Sequence, residues 1–247
     1  MGILSPYLND PDRDFTRRRK FPPETLVSFL VSQGASSSGN ELDDFFNFHP
    51  DSHSLSALNQ QRDKLKPQAL EGVFRRLNAS LSRLENPPRY RILAADGSSF
   101  SFSSSPKWAS EEYFVSAGHS AKGFYSVHLN ALYDLNTRTY QDAVIQPVHS
   151  KDEFLAFRTM VDRLAAADGV SCIFMAGRGY CSYNNMAHVM EKNQFFLFRS
   201  KDVNVCGVAG HSPVPKQGAF GVCLDIVIIR SHSKKISLSV SLNTPLA

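Results

Sequence analysis

Few residues of this chain have types and spacings that could do chemistry. Asp96 ends an apolar run, residues 92–95, and is followed by Gly97-Ser98-Ser99. By itself Asp-Gly is turn chemistry. A second, nearly continuous apolar run, 170–176, leads into Gly177-Arg178-Gly179-Tyr180 and then Ser182-Tyr183-Asn184. His128 and Asn130 lie two apart on a strand-like segment. For them a hydrogen-bonded structural role and contact with a substrate are equally open. The four cysteines, Cys172, Cys181, Cys206 and Cys223, form no C-x-x-C pair, which argues against a zinc site. Four cysteines in 247 residues do not make a disulfide scaffold either, so a reduced, cytosolic chain is expected. The basic run Arg17-Arg18-Arg19-Lys20 is the one local concentration of charge, and it suits a polyanionic partner.

The elements that must position these residues change character near Pro87-Pro88. Before it the pattern is helical. Pro22-Pro23 precedes a helix over 24–33 with Leu26, Phe29 and Leu30 on one face, and Gly34 is its stop. Ser36-Ser37-Ser38-Gly39 reads as a loop, with Asn40 capping a helix that carries Leu42, Phe45 and Phe46. Ser54 caps a third helix with Leu55, Leu58 and Leu65. Pro67 opens a fourth with Leu70, Val73, Phe74, Leu77 and Leu81 on one face. This pair is helix–turn–helix-like, and its polar faces carry Arg62, Lys64, Lys66, Arg75, Arg76 and Arg83. Such a surface is either the solvated side of a bundle or a DNA-contacting side; Asp63 and Glu71 dilute it.

After the prolines the pattern is strand-like: 92–95, then a serine-rich loop, then 124–132 and 139–148 with a turn at Asp134 and Asn136. Ser150 and Glu153 have the spacing of a capping box, opening a helix with Phe154, Phe157, Val161 and Leu164 on one face. Asp168-Gly169 ends it, 170–176 is a buried strand, Ser182 caps a helix to about Lys192, and 194–198 is another strand. Segments 222–230 and 235–242 form a hairpin. The expected domains are 1–88, an α-helical N-terminal region; 89–200, an α/β core; and 201–247, the start of a β-rich insertion.

Bulk properties are those of a globular protein, 42% apolar and 20% charged, with a net charge of +4. The basic excess is shared evenly, +2 in residues 1–91 and +2 in 92–247. No run of 18 apolar residues suggests a membrane span, and the N-terminus does not read as a signal peptide.

Strands followed by helix, strand, helix and strand is the order of an RNase H-like core. Ile92-Leu93-Ala94-Ala95-Asp96-Gly97-Ser98 resembles the first catalytic block of bacterial insertion-sequence DDE transposases of the insertion-sequence-four type. Phe174-Met175-Ala176-Gly177-Arg178-Gly179-Tyr180 with Ser182-Tyr183-Asn184 resembles their second block, A-D-R-G-Y/F-x-S-Y-N. His128-x-Asn130-Ala131-Leu132-Tyr133-Asp134, Asp14-Phe15-Thr16-Arg17 and the stretch from Leu42 to Phe46 also resemble the family, and the final hairpin resembles the β-rich insertion before its third carboxylate.

The resemblance implies an RNase H-like mixed sheet with helices. It also implies DNA cleavage and strand transfer at double-stranded transposon ends, with Mg²⁺ or Mn²⁺ held by three carboxylates. It places Asp96 at the first carboxylate and Gly177 where the family has its second aspartate. Arg178 either approaches DNA or orders the site. The third glutamate belongs to Y-x2-R-x3-E-x6-K, and no tyrosine here has arginine three residues on. Asp168 and Glu191 lie too far along the chain to replace the missing aspartate. The expectation is therefore a decayed or truncated bacterial transposase without a two-metal site. It would bind DNA through Arg17, Arg18, Arg19, Lys20, Arg62, Lys64, Arg75, Arg76 and Arg178. Its partners would be DNA, a second copy or a full-length transposase. The rivals are a non-enzymatic DNA-binding regulator and a split gene whose second half supplies the glutamate.

Overall fold

The computed structural model describes residues 4–17, 21–49, 53–81, 89–102, 110–116, 123–165, 171–201 and 208, together with strands 222–226 and 238–242. The chain divides into two compact units, Met1–Leu84 and Glu85–Ala247. Pro87-Pro88 lies outside the described residues.

The first unit is helical: α1 (Pro23–Ser32), α2 (Ser38–Phe45), α3 (Leu55–Arg62) and α4 (Gln68–Leu81). Proline at the first turn of α1 uses a position whose N–H has no intrahelical partner. Ser37 caps α2 by accepting the Asn40 N–H, and Ser54 caps α3 by accepting the Ala57 N–H. The α2 cap corrects the sequence reading: the helix starts before Asn40 and takes in Ser38 and Gly39. Phe21, Leu26, Phe29, Leu42 and Leu58 form the core of this unit, with edge-to-face rings at Phe21–Phe29 and Phe29–Phe45. Leu65, expected on the third helix, lies beyond it and bridges Leu8.

The second unit is built on a six-stranded mixed sheet. Its strands are β1 (Arg91–Phe102), β2 (Phe114–Val115), β3 (Phe124–Asp134), β4 (Thr139–Pro147), β5 (Cys172–Ala176) and β6 (Phe195–Phe198). β1 and β3 are antiparallel, as are β3 and β4, while β5 is parallel to β1 and β6 to β5. β2 pairs with the start of β3, beyond the stretch paired with β4. α5 (Glu153–Ala165) connects β4 to β5, and α6 (Tyr183–Glu191) connects β5 to β6. This is the RNase H-like arrangement: three antiparallel strands, then two parallel ones carried by helical crossovers. A separate hairpin, β7 (Val222–Ile226) and β8 (Leu238–Leu242), follows.

Leu93, Ala95, Leu132, Phe157, Met160, Val161, Cys172, Phe174, Tyr180 and Val189 form the core beneath α5 and α6. Alternation along the strands sends Ile92, Ala94 and Asp96 to the opposite face. Phe154 was expected on the buried stripe of α5 but is 39% exposed; Ala156 and Met160 are buried instead. β1 also runs further than expected. It passes through Asp96-Gly97 to Phe102 because β3 pairs with it along almost its whole length, from Leu93↔Asp134 to Phe102↔Tyr125. Asp-Gly is therefore not a turn here.

Candidate active site

β1 and β5 lie side by side with Ala95 opposite Ala176. The next residues along the two strands are Asp96 and Gly177, the pair of positions that the sequence blocks single out. The Asp96 side chain is exposed, and its Oδ1 accepts the Gly97 N–H at 2.9 Å. Gly177 is exposed too, at the start of the turn closed by the Tyr180 N–H donating to its carbonyl. A Cβ built at Gly177 meets no atom within 4 Å, so the backbone there has room for a side chain.

Gly97 is the opposite case. A Cβ on it would come within 2.8 Å of His128 Nε2 and 3.0 Å of the Tyr180 hydroxyl. Only glycine lets the imidazole and the phenol lie against β1 at this point.

Behind Asp96 is a buried polar scaffold. His128 is 3% exposed, with Nδ1 3.1 Å from Ser99 Oγ. Its Nε2 lies 3.1 Å from Glu153 Oε1, close enough for an ion pair but not aligned as a hydrogen bond. The Tyr180 hydroxyl donates to Asn130 Oδ1 at 2.9 Å, and Asn130 Nδ2 donates to Gln146 Oε1 at 3.2 Å. Gln146 Nε2 donates to the Asp152 carbonyl. Asn185 Nδ2 donates to the Tyr180 carbonyl, and Arg158 donates to Asn185 Oδ1. The chain of bonds ties β3, β4, the start of α5, the turn after β5 and α6 into one frame. Burial, then the charges of Glu153 and Asp96, push the Tyr180 phenol above its ordinary range, so it stays a donor.

Glu153 is the site residue that sequence reasoning missed. It was expected to complete a capping box with Ser150. Instead Asp152 caps α5, its Oδ1 accepting the Leu155 N–H at 2.8 Å. Glu153 turns toward His128 and Lys151, and a Cβ on Gly179 would lie 3.3 Å from its Oε2. No local motif marks such a residue, because the sheet and α5 together bring it to β3.

The fit to a divalent metal centre can be tested on these contacts. Among the described residues no group of three or more His, Cys, Asp or Glu is placed to hold a metal ion. Asp96 and Glu153 both act on the Tyr180 phenol, and Glu153 is paired with His128. The described residues do not on their own make up a two-metal centre.

Arg17 and Lys64 line one cleft of about 1280 Å³ with Arg13, but Asp12, Asp14 and Glu24 line it too. Lys64 Nζ sits 5.1 Å from the centre of the Phe15 ring and donates to Gln61 Oε1. Arg75 is bound to Glu71 at 2.8 Å. Arg62, Arg76 and Arg178 are exposed. Arg18, Arg19, Lys20 and Arg83 lie outside the described residues.

The β1–β5 pairing puts the two sequence blocks at one point of the sheet, which is where a family assignment becomes decisive. Residues 87–209 match the Transposase DDE domain family. The matched stretch takes in β1 to β6 and with them Asp96, His128, Glu153, Gly177 and Tyr180. No curated protein matches the sequence.

Among solved structures the chain is similar to the piggyBac transposase in its synaptic complex with hairpin DNA. The identity is 10%, covering 81% of this chain and 45% of that one, with a TM-score of 0.41. It is similar to the Drosophila P element transposase of a strand transfer complex at 10% identity, with 72% and 45% covered and a TM-score of 0.28. For the Mos1 pre-cleavage transpososome the values are 14% identity, 78% and 64% covered, and 0.30. The chain spans about half the length of the first of these proteins. Among the described residues no helix is long and apolar enough to cross a membrane.

Proposed function

We propose that this chain is a DNA-binding member of the DDE transposases, of the bacterial insertion-sequence-four type, that does not cut or join DNA. The observation that carries the reading is the end of the β1–β5 pair. Asp96 is exposed there, and the neighbouring strand is followed by Gly177, where the family's second block has aspartate. One carboxylate cannot hold two cations a few ångströms apart against their mutual repulsion.

The test is a Mn²⁺ titration by calorimetry beside a plasmid-nicking assay, on this chain and on Gly177→Asp. The unmodified chain is expected to show no saturable Mn²⁺ binding and no Mg²⁺- or Mn²⁺-dependent nicking. Gly177→Asp has room for its side chain and is expected to raise Mn²⁺ affinity by about 10-fold or more while leaving strand transfer absent. Metal-dependent nicking by the unmodified chain would overturn the reading. Unchanged Mn²⁺ affinity in a folded Gly177→Asp would remove Gly177 as the position of the lost ligand.

A further inference from the structure

The strand β5 has no charged or amide residue. It reads Cys-Ile-Phe-Met-Ala and lies between two parallel neighbours, β1 and β6. Strands of this kind are ordinarily covered on both faces. One face is covered here: Cys172 and Phe174 belong to the core beneath α5 and α6, with Phe196 and Phe198 of β6 packed against it. The opposite face carries a second apolar surface. Leu197, Met175, Ala94, Tyr133 and Tyr140 follow one another across five strands in direct register. Phe195, Ile173 and Ile92 form the row beside them. Phe195, Leu197 and Tyr140 are more than half exposed. Asp96 lies on this face, two residues beyond Ala94.

The hairpin of the same compact unit has an apolar side as well. Val222 pairs with Leu242, Leu224 with Val240, and Ile226 with Leu238. Alternate positions of a strand share a side, so these six aliphatic positions fall together. Cys223, Asp225, Ser239 and Ser241 fall on the other side. A slip of one residue would exchange the two sides, so this alternation specifies a register only where one side is buried. A two-stranded hairpin by itself is at best marginally stable in water.

We propose that the β7–β8 hairpin docks by its apolar side on the open face of the main sheet, over β1, β5 and β6. It is then a strap across the face that carries Asp96. The sizes agree. Five-residue strands span about 17 Å, the length of β5, and a strand pair is about as wide as two adjacent strands of the sheet. The chemistry agrees too. Neither row on the sheet contains a charged residue, and the hairpin's one carboxylate, Asp225, falls at a position on its other side. The connection, residues 199–221, reaches on the order of 70 Å when extended, enough to pass to this face. The tether also selects the chain's own hairpin. It holds the strap at an effective concentration on the order of 1 mM, above that of hairpins on other molecules in a micromolar solution.

This inference does not rest on the reading of Asp96 and Gly177. Hydrogen–deuterium exchange on the full chain tests it, using the unmodified chain, Leu197→Asp and Phe195→Asp. Both substituted residues are exposed, so the amides of β1 are expected to keep their protection in each variant. In the unmodified chain the amides of 222–226 and 238–242 are expected to exchange about 100-fold or more slowly than in a free peptide, equally at about 5 and 100 µM protein. Each sheet substitution places a charge under the strap and is expected to lower that protection at least about 10-fold.

A second measurement acts from the hairpin side. Leu224→Asp is expected to raise the fluorescence of the apolar dye ANS at least about threefold by uncovering the sheet, and Ser239→Asp, at a position on the other side, is expected to leave it unchanged. Hairpin amides that exchange at the free-peptide rate in the unmodified chain overturn the inference. So does protection that survives both sheet substitutions, or dye binding that responds alike to Leu224→Asp and Ser239→Asp. Protection that grows with protein concentration overturns it as well, because the strap would then belong to another molecule.

Discussion

At the scale of single residues, the site divides by how its members are reached. Asp96 and Gly177 were singled out by the resemblance of the blocks around them to family blocks, and the apolar runs that precede them are paired in β1 and β5. Gly97, Tyr180 and Glu153 were not legible as a set. Their roles depend on three groups from different elements meeting at one point of β1. Tyr180 is the centre of that meeting, 3% exposed and donating to Asn130, which is fully buried.

Tyr180→Phe therefore leaves Asn130 Oδ1 without its donor and is expected to cost about 1–3 kcal/mol at neutral pH. The pH dependence has a definite sign. The folded chain holds the phenol proton more tightly than the unfolded chain, where tyrosine titrates near 10. The tyrosine's contribution is complete below about pH 10 and is lost as pH rises beyond it. Urea midpoints for the unmodified chain and Tyr180→Phe are thus expected to converge above pH 10. A gap that stays constant to pH 11 would show that the phenol is not held protonated by its surroundings.

At the scale of elements, helix and strand existence followed from periodicity, while ends and caps were set by contacts that periodicity does not contain. β1 continues through Asp-Gly because β3 supplies a pairing partner, and tertiary pairing outweighs local turn chemistry. α2 starts at Ser38 because Ser37, not Asn40, has the extended backbone and accepts a hydrogen bond three residues on. α5 shows the same competition. Ser150 and Glu153 have capping-box spacing, yet Asp152 makes the cap and frees Glu153 for His128.

The two readings of the α5 start separate on mutation. Asp152→Ala is expected to lower stability by about 1 kcal/mol, the usual worth of an N-cap. Ser150→Ala, on an exposed residue, is expected to stay within about 0.5 kcal/mol of the unmodified chain. Equal losses in urea unfolding would restore the capping box.

At the scale of the whole molecule, the question is whether a net charge of +4 is enough to engage DNA. The two compact units share the excess, so no single half is a polycation. Contacts within the first unit reduce what is available, since Lys64 is turned to Phe15 and Gln61, and Arg75 to Glu71. The run Arg17-Arg18-Arg19-Lys20, with exposed Arg62 and Arg76, remains as six cations. Should each meet one phosphate, counterion release makes affinity for duplex DNA fall about 10³-fold between 50 and 200 mM salt. Replacing Arg17, Arg18, Arg19 and Lys20 by alanine leaves two contacts, and the fall over the same range shrinks to about 10-fold. Fluorescence anisotropy on a short labelled duplex, read as log affinity against log salt, measures both slopes. An unmodified slope near zero would remove the electrostatic basis for DNA binding. Equal steep slopes in the two proteins would move the contacts from the basic run to the DDE domain, where Arg178 stands exposed beside Gly177.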